Sequence, residues 1–163
     1  ATRLSLVDVS GKNLPPSYAE ATEGKPDYDA MVQGVDANTN GIRDDVELAI
    51  FKEYPNSAKT RAVLLQYALA LQMEVMQTRV NTGTVTAVAE DSGRAHLCVG
   101  EITSRKDLGK FIEITEKFYS FIESRQLNTE ARRQAQKDFY RGNLGSYASP
   151  DETCDLDLSA LPN

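Results

Sequence analysis

The sequence predicts an all-α domain, a helical bundle of about five helices joined by short connections. Three observations carry this. Apolar residues recur at steps of three and four through most of the chain after residue 45. No pair of alternating segments is separated by a hairpin turn. Proline and glycine fall between the periodic segments, where helices must stop. With 163 residues, 40% of them hydrophobic, the chain is long enough to bury a core without help from a metal.

Residues 1–26 have weak periodicity and hold Gly11, Pro15, Pro16, Gly24 and Pro26. They read as an irregular lead-in or tether. Residues 1–8 lack a charged start followed by an apolar run, so they read as a mature N-terminus rather than a signal peptide. The helical domain is expected over 27–145, opening with a short turn at 27–33 and a polar loop at 36–47. Val46, Ala49 and Ile50 then begin a short amphipathic helix that Pro55 ends. Asn56 or Ser57 caps the longest helix, whose apolar residues Ala62, Leu65, Leu69, Met76 and Val80 are flanked by Leu64, Ala68, Leu71 and Val75. A helix this apolar around its circumference belongs at the centre of a bundle. Asn81-Thr82-Gly83 supplies the expected stop.

Residues 84–104 mix strand-like alternation with helical spacing from Ala95 to Ile102, and a helix irregular near Gly93 is expected. Leu108, Phe111, Thr115, Phe118 and Ile122 mark a firmer helix over 105–124, with Phe111, Phe118, Phe121 and Tyr119 as core. Asn128 caps a last helix that runs to about Tyr140, before Gly142 and Gly145. Residues 146–163 form an irregular tail packed on the domain.

The formal charge of −6 argues against nucleic acid or an anionic membrane as partner. No apolar run is long enough for a transmembrane segment. One His excludes His-rich metal sites. The two cysteines, Cys98 and Cys154, form a disulfide or sit as two free buried thiols. Cys154 lies in a polar tail, where an anchor makes more sense than packing. A bond across so long a loop stabilises by about 4 kcal/mol less native strain, and implies an exported protein, periplasmic or extracellular.

The loop carries the readable chemistry. Asp36-Ala37-Asn38-Thr39-Asn40-Gly41-Ile42-Arg43-Asp44-Asp45-Val46-Glu47 fits D-x-[DN]-x-[DN]-G-x5-E without a gap. Ca²⁺ takes six to eight oxygens. Asp36, Asn38 and Asn40 stand at alternate positions, Gly41 allows a sharp turn, Ile42 offers its carbonyl, Asp44 binds directly or through water, and Glu47 closes the set with two oxygens. No nitrogen or sulfur ligand falls in the pattern, which disfavours zinc and copper. Two neutral Asn ligands weaken the site relative to an all-Asp loop, to an expected range of about 10⁻⁵–10⁻³ M. The bland reading is an Asx-rich turn that caps a helix.

The segment resembles an EF-hand-type calcium loop, as in EF-hand, dockerin and related bacterial calcium-loop proteins. It also resembles uncharacterised exported bacterial proteins, a likeness that names no reaction. Position eight, apolar in paired EF-hands, is Arg43, and no second loop follows. The resemblance therefore implies a solitary EF-hand-like calcium loop before the first main helix, with Ca²⁺ in a structural role.

Other candidates have blander readings. His96 and Cys98 point about 200° apart on a helix and cannot meet. Arg125, Arg132, Arg133, Lys137 and Arg141 read as a solvated helix face. Glu113, Glu116 and Glu123, or Asp151, Glu152, Asp155 and Asp157, read as surface acids. No nucleophile–base motif is present. The expected function is that of an exported calcium-binding module of the cell envelope with a protein partner there. The alternative is a small hydrolase of envelope polymers with structural calcium. A cleft lined by two carboxylates favours the second.

Overall fold

The computed structural model describes residues 3–17, 26–78, 80–141 and 144–163. Gly24 and Gly142, both expected as breakers, lie outside the described residues. Among these residues the chain is all-helical, with six α-helices and no strand: α1 (Leu6–Ser10), α2 (Asp44–Glu53), α3 (Ala58–Met76), α4 (Thr82–Val99), α5 (Leu108–Gln126) and α6 (Glu130–Tyr140). Short 3₁₀ turns follow at Gly100–Ile102 and Leu158–Ala160. No helix among the described residues is long and apolar enough to cross a membrane.

The central helix is α3, which packs against each of the other five. Its middle, from Ala62 to Leu71, is buried on every side. That burial follows from the breadth of its apolar face, because a helix with water on no side has no need of a polar stripe. Ser57 caps it, accepting from the Thr60 amide at 3.2 Å. The helix ends at Met76, earlier than the expected stop. Asn81 instead starts α4, accepting from the Thr84 amide at 3.0 Å, and Gly83 lies inside that helix rather than ending the previous one. Val80 falls between the helices and is exposed.

Three further differences have local causes. The lead-in holds α1, closed by a capping box between Ser5 and Asp8, with Leu4 and Val9 in the core. Helix α4 runs through Gly93 without a break. Helix α5 begins at Leu108, which is 65% exposed although its spacing suits the core, because the first turn projects beyond the bundle. Phe118, Phe121 and Tyr119 are only partly buried, packed at the core's edge, and Phe111, also partly buried, lies beside Gly100 under Arg105. Thr129 rather than Asn128 caps α6.

Cys98 and Cys154 form a disulfide with their Cα atoms 4.9 Å apart. Polar contacts extend this anchor. Gln66 on α3 donates to the Thr153 carbonyl at 2.9 Å and accepts from the Asp155 amide at 2.8 Å. Arg94 on α4 pairs with Asp155 at 2.8 Å and donates to the Glu152 carbonyl. The other Asp155 oxygen accepts from the Leu4 amide at 2.9 Å, so one carboxylate ties both ends of the chain to the bundle.

Candidate functional site

The 36–47 segment is a partly exposed loop over residues 36–41 that turns inward at Ile42 and runs into the first turn of α2 at Asp44, where its side chains are mostly buried. Its turn needs left-handed backbone at Thr39 (φ 57°) and Gly41 (φ 85°). The Asp36 carboxylate accepts from the amides of Asn40 at 3.2 Å and Gly41 at 2.8 Å. Asn40 Oδ1 accepts from the Ile42 amide at 3.0 Å, and the Ile42 side chain is fully buried in the core. Asp44 reaches back to the Ala37 amide at 3.0 Å, while its own amide donates to the Val35 carbonyl at 2.8 Å.

Glu47 is the point on which the loop converges. It is 0% exposed. One carboxylate oxygen accepts from Asn40 Nδ2 at 2.9 Å and the other from Asn38 Nδ2 at 3.0 Å. Asn38 Oδ1 is buried with no hydrogen-bond partner among the described residues. Burial pushes the Glu47 carboxyl up to about 7, against the two amide hydrogen bonds that pull it down, with the charges of Asp8 and Asp44 adding to the rise. Asp44 is also pushed up, first by burial. Among the described residues, no group of three or more His, Cys, Asp or Glu side chains is gathered closely enough to hold a metal ion.

So Asn38, Asn40 and Glu47 meet through their side chains. Asp36 and Asp44 serve the loop's own backbone. Sequence reasoning missed Asp8, whose Oδ1 lies 3.4 Å from Asn40 Nδ2. Ser5-Leu6-Val7-Asp8 is a recognisable capping box, but nothing in it says that α1 packs beside this loop.

Two buried arginines hold the segment around the loop. Arg43 at loop position eight is 0% exposed, bidentate to Asp45 at 2.6 and 2.7 Å, and donates to the Arg125 carbonyl at 2.9 Å. It thus meets the negative end of α5, where a cation is favoured. Arg132 on α6 is likewise 0% exposed, which overturns its reading as part of a solvated face. Its guanidinium donates to the carbonyls of Tyr28, Met31 and Val32 and to Asp29 at 2.6 Å. It threads the turns at 28–32 and holds them without a helix. A periodicity argument cannot find this, because an arginine on an amphipathic helix reads as solvent-facing until its partner segment is known.

A second polar concavity lies between α3, α4, α5 and α6. It is an open cleft of about 420 Å³ lined by Tyr67, Glu74, Ser92, His96, Glu123 and Tyr140, among others. Glu74 attracts no attention in the sequence, where it sits inside an apolar helix, yet it is 4% exposed and accepts three hydrogen bonds. Comparisons of the chain with protein-family models, with curated proteins and with solved structures found no match.

Proposed function

We propose that the chain is a calcium-stabilised helical binding module of the cell envelope, with the 36–47 loop as its EF-hand-like metal site. The observation that carries this is Glu47, a fully buried carboxylate whose hydrogen-bond partners among the described residues are two neutral amides. Burying an anion without a counter-charge is costly, and a cation at that point removes the cost. The orphaned Asn38 Oδ1 fits the same reading. Turning the amides of Asn38 and Asn40 over exchanges NH₂ for oxygen, at the cost of the Asn38 bond to the Asn13 carbonyl and of the bond that Asn40 accepts from the Ile42 amide, and it offers Asp36, Asn38, Asn40, the Ile42 carbonyl, Asp44 and Glu47 as hard oxygen donors. Calcium supplies positive charge there. The chain's own residues supply a pre-folded loop, pinned by Arg43 and by Asp8 on α1.

The disulfide supports an exported setting, periplasmic or extracellular, whereas the docking of Leu4 and Val9 in the core replaces the expected tether with a packed lead-in. The hydrolase alternative gains one observation, the presence of both Glu74 and Glu123 at the same cleft. Glu74, however, spends both oxygens on three neutral donors, an arrangement that holds a carboxylate still rather than freeing it to move protons. The binding reading is therefore preferred.

Titration calorimetry on EDTA-stripped protein tests the calcium site. One Ca²⁺ per chain is expected, in the range of about 10⁻⁵–10⁻³ M. Calcium at 100 times its Kd adds about 2.7 kcal/mol to stability. Absence of binding heat together with an unmoved melting temperature refutes the proposal.

A further inference from the structure

The cleft between α3, α4, α5 and α6 shares no residue with the calcium-type loop, and its chemistry is independent of calcium. Its inner wall is Glu74. One Glu74 oxygen accepts from Ser92 Oγ and from Tyr140 Oη, each at 2.6 Å, and the other accepts from Gln136 Nε2 at 2.6 Å. At the mouth stands Glu123, exposed, with one oxygen accepting from Tyr67 Oη at 2.6 Å. All four donors are neutral. No Lys or Arg among the described residues lines the cleft. Among the described residues neither carboxylate takes part in an ion pair; the nearby Arg105 stands over the Phe111 ring and Arg94 is paired with Asp91 and Asp155. His96 adds no compensating charge at neutral pH, since burial pushes its imidazole below the ordinary value despite Glu123.

The cleft therefore concentrates two negative charges in a concave, partly desolvated space, where a field is least screened. Tyr67, His96 and Tyr140 bring rings to its lining, and Tyr119 backs two of them. The Tyr67 ring packs edge-on against Tyr119 at 5.4 Å, and His96 stacks on Tyr119 at 3.9 Å. Aromatic faces beside carboxylates are the surroundings that an organic ammonium group prefers, because ring quadrupole and carboxylate attract it together. A metal ion is a poorer fit. The Glu74 oxygens are already occupied by O–H and N–H donors, and among the described residues no three metal-ligating side chains are gathered here. The volume, about 420 Å³, lies within the usual range for small-molecule sites.

We propose that this cleft is a binding site for a small organic amine in its ammonium form, held by Glu123 at the mouth beside the exposed His96 ring, with Glu74 setting the negative field from within. The field of two negative charges favours a short diamine, a dication, over a monoamine.

The test uses the intact, disulfide-bonded chain in calcium-containing buffer at low ionic strength. Probes are 1,4-diaminobutane, butylamine and uncharged 1,4-butanediol, read by calorimetry and by amide chemical-shift mapping. Diaminobutane is expected to bind best, butylamine more weakly and butanediol not at all, with shifts confined to residues around the cleft. E123Q is expected to weaken diaminobutane binding at least about tenfold, the order of one charge-assisted contact. Glu123 is exposed, so this variant keeps its fold, which an unchanged melting temperature without ligand verifies. E74Q keeps the shape of the inner wall and should weaken binding as well. The proposal is overturned if diaminobutane does not bind, if butanediol binds equally, if E123Q leaves affinity unchanged, or if the shifts map to residues 36–47 instead.

Discussion

In calcium-free protein, raising the pH from 5 to 8 should lower stability through Glu47. Burial moves its carboxyl from an ordinary 4.5 to about 7. In that window the folded state holds a proton that the unfolded state has released. Stability from this group is complete below pH 4.5 and is lost as pH rises through 7. At 1.36 kcal/mol per pH unit of difference, the loss is about 3 kcal/mol. Asp44, also pushed up by burial, adds a smaller loss of the same sign. His96, pushed down by burial, works in the opposite direction, its contribution being complete above 6.5 and lost as pH falls. The difference between wild type and E47Q isolates the contribution of Glu47. Urea denaturation in EDTA, followed by far-UV circular dichroism at several pH values, measures it. The wild-type curve should fall by about 3 kcal/mol relative to that of E47Q, and saturating Ca²⁺ at pH 8 should restore the wild type alone. Parallel pH profiles for the two proteins would refute the claim that Glu47 is an uncompensated buried acid.

Three other outcomes follow from the packing. Gly34 has φ +66°, and a Cβ there would lie 2.3 Å from Cδ of the buried Arg43. G34A should cost about 3 kcal/mol, since it must dislodge a desolvated guanidinium, and an unchanged denaturation midpoint would show that Arg43 is not locked in place. R132M removes the donors to the Tyr28, Met31 and Val32 carbonyls and should cost about 3 kcal/mol. Hydrogen exchange should then accelerate at residues 28–35 well before the rest of the fold, and uniform protection would contradict the role assigned to Arg132. Replacing both cysteines by serine opens a bond of sequence separation 56 and should cost up to about 4 kcal/mol. Reductant should then lower the melting temperature of wild type but not of that variant.

Much of the architecture was legible because helix packing leaves a local trace. The breadth of the apolar face from Ala62 to Val75 marks α3 as central, and α3 does touch every other helix. Ser57 as a cap and Pro55 as a stop follow from backbone chemistry that neighbours within four residues decide. The twelve-residue loop was legible as a turn, since turn geometry and the spacing of its Asp and Asn side chains are both local.

The rest depends on long-range juxtaposition. Whether Asn81 ends one helix or begins the next is decided by which segment finds a packing surface, and Met76 is where that of α3 runs out. Arg43 and Arg132 look like surface cations until the α5 carbonyls and the 28–32 turns are placed against them. Asp8 joins the loop, and Glu74 and Glu123 share a cleft, only once α1 and α5 have docked. Local patterning is enough to establish an all-helical chain, its central helix and a polar loop rich in oxygen donors. Burial is a property of the assembled chain, so which charges lose their water is settled only when the helices meet. Glu47 and Glu74 are such groups, and no pattern of neighbours within their own helices marks them as buried.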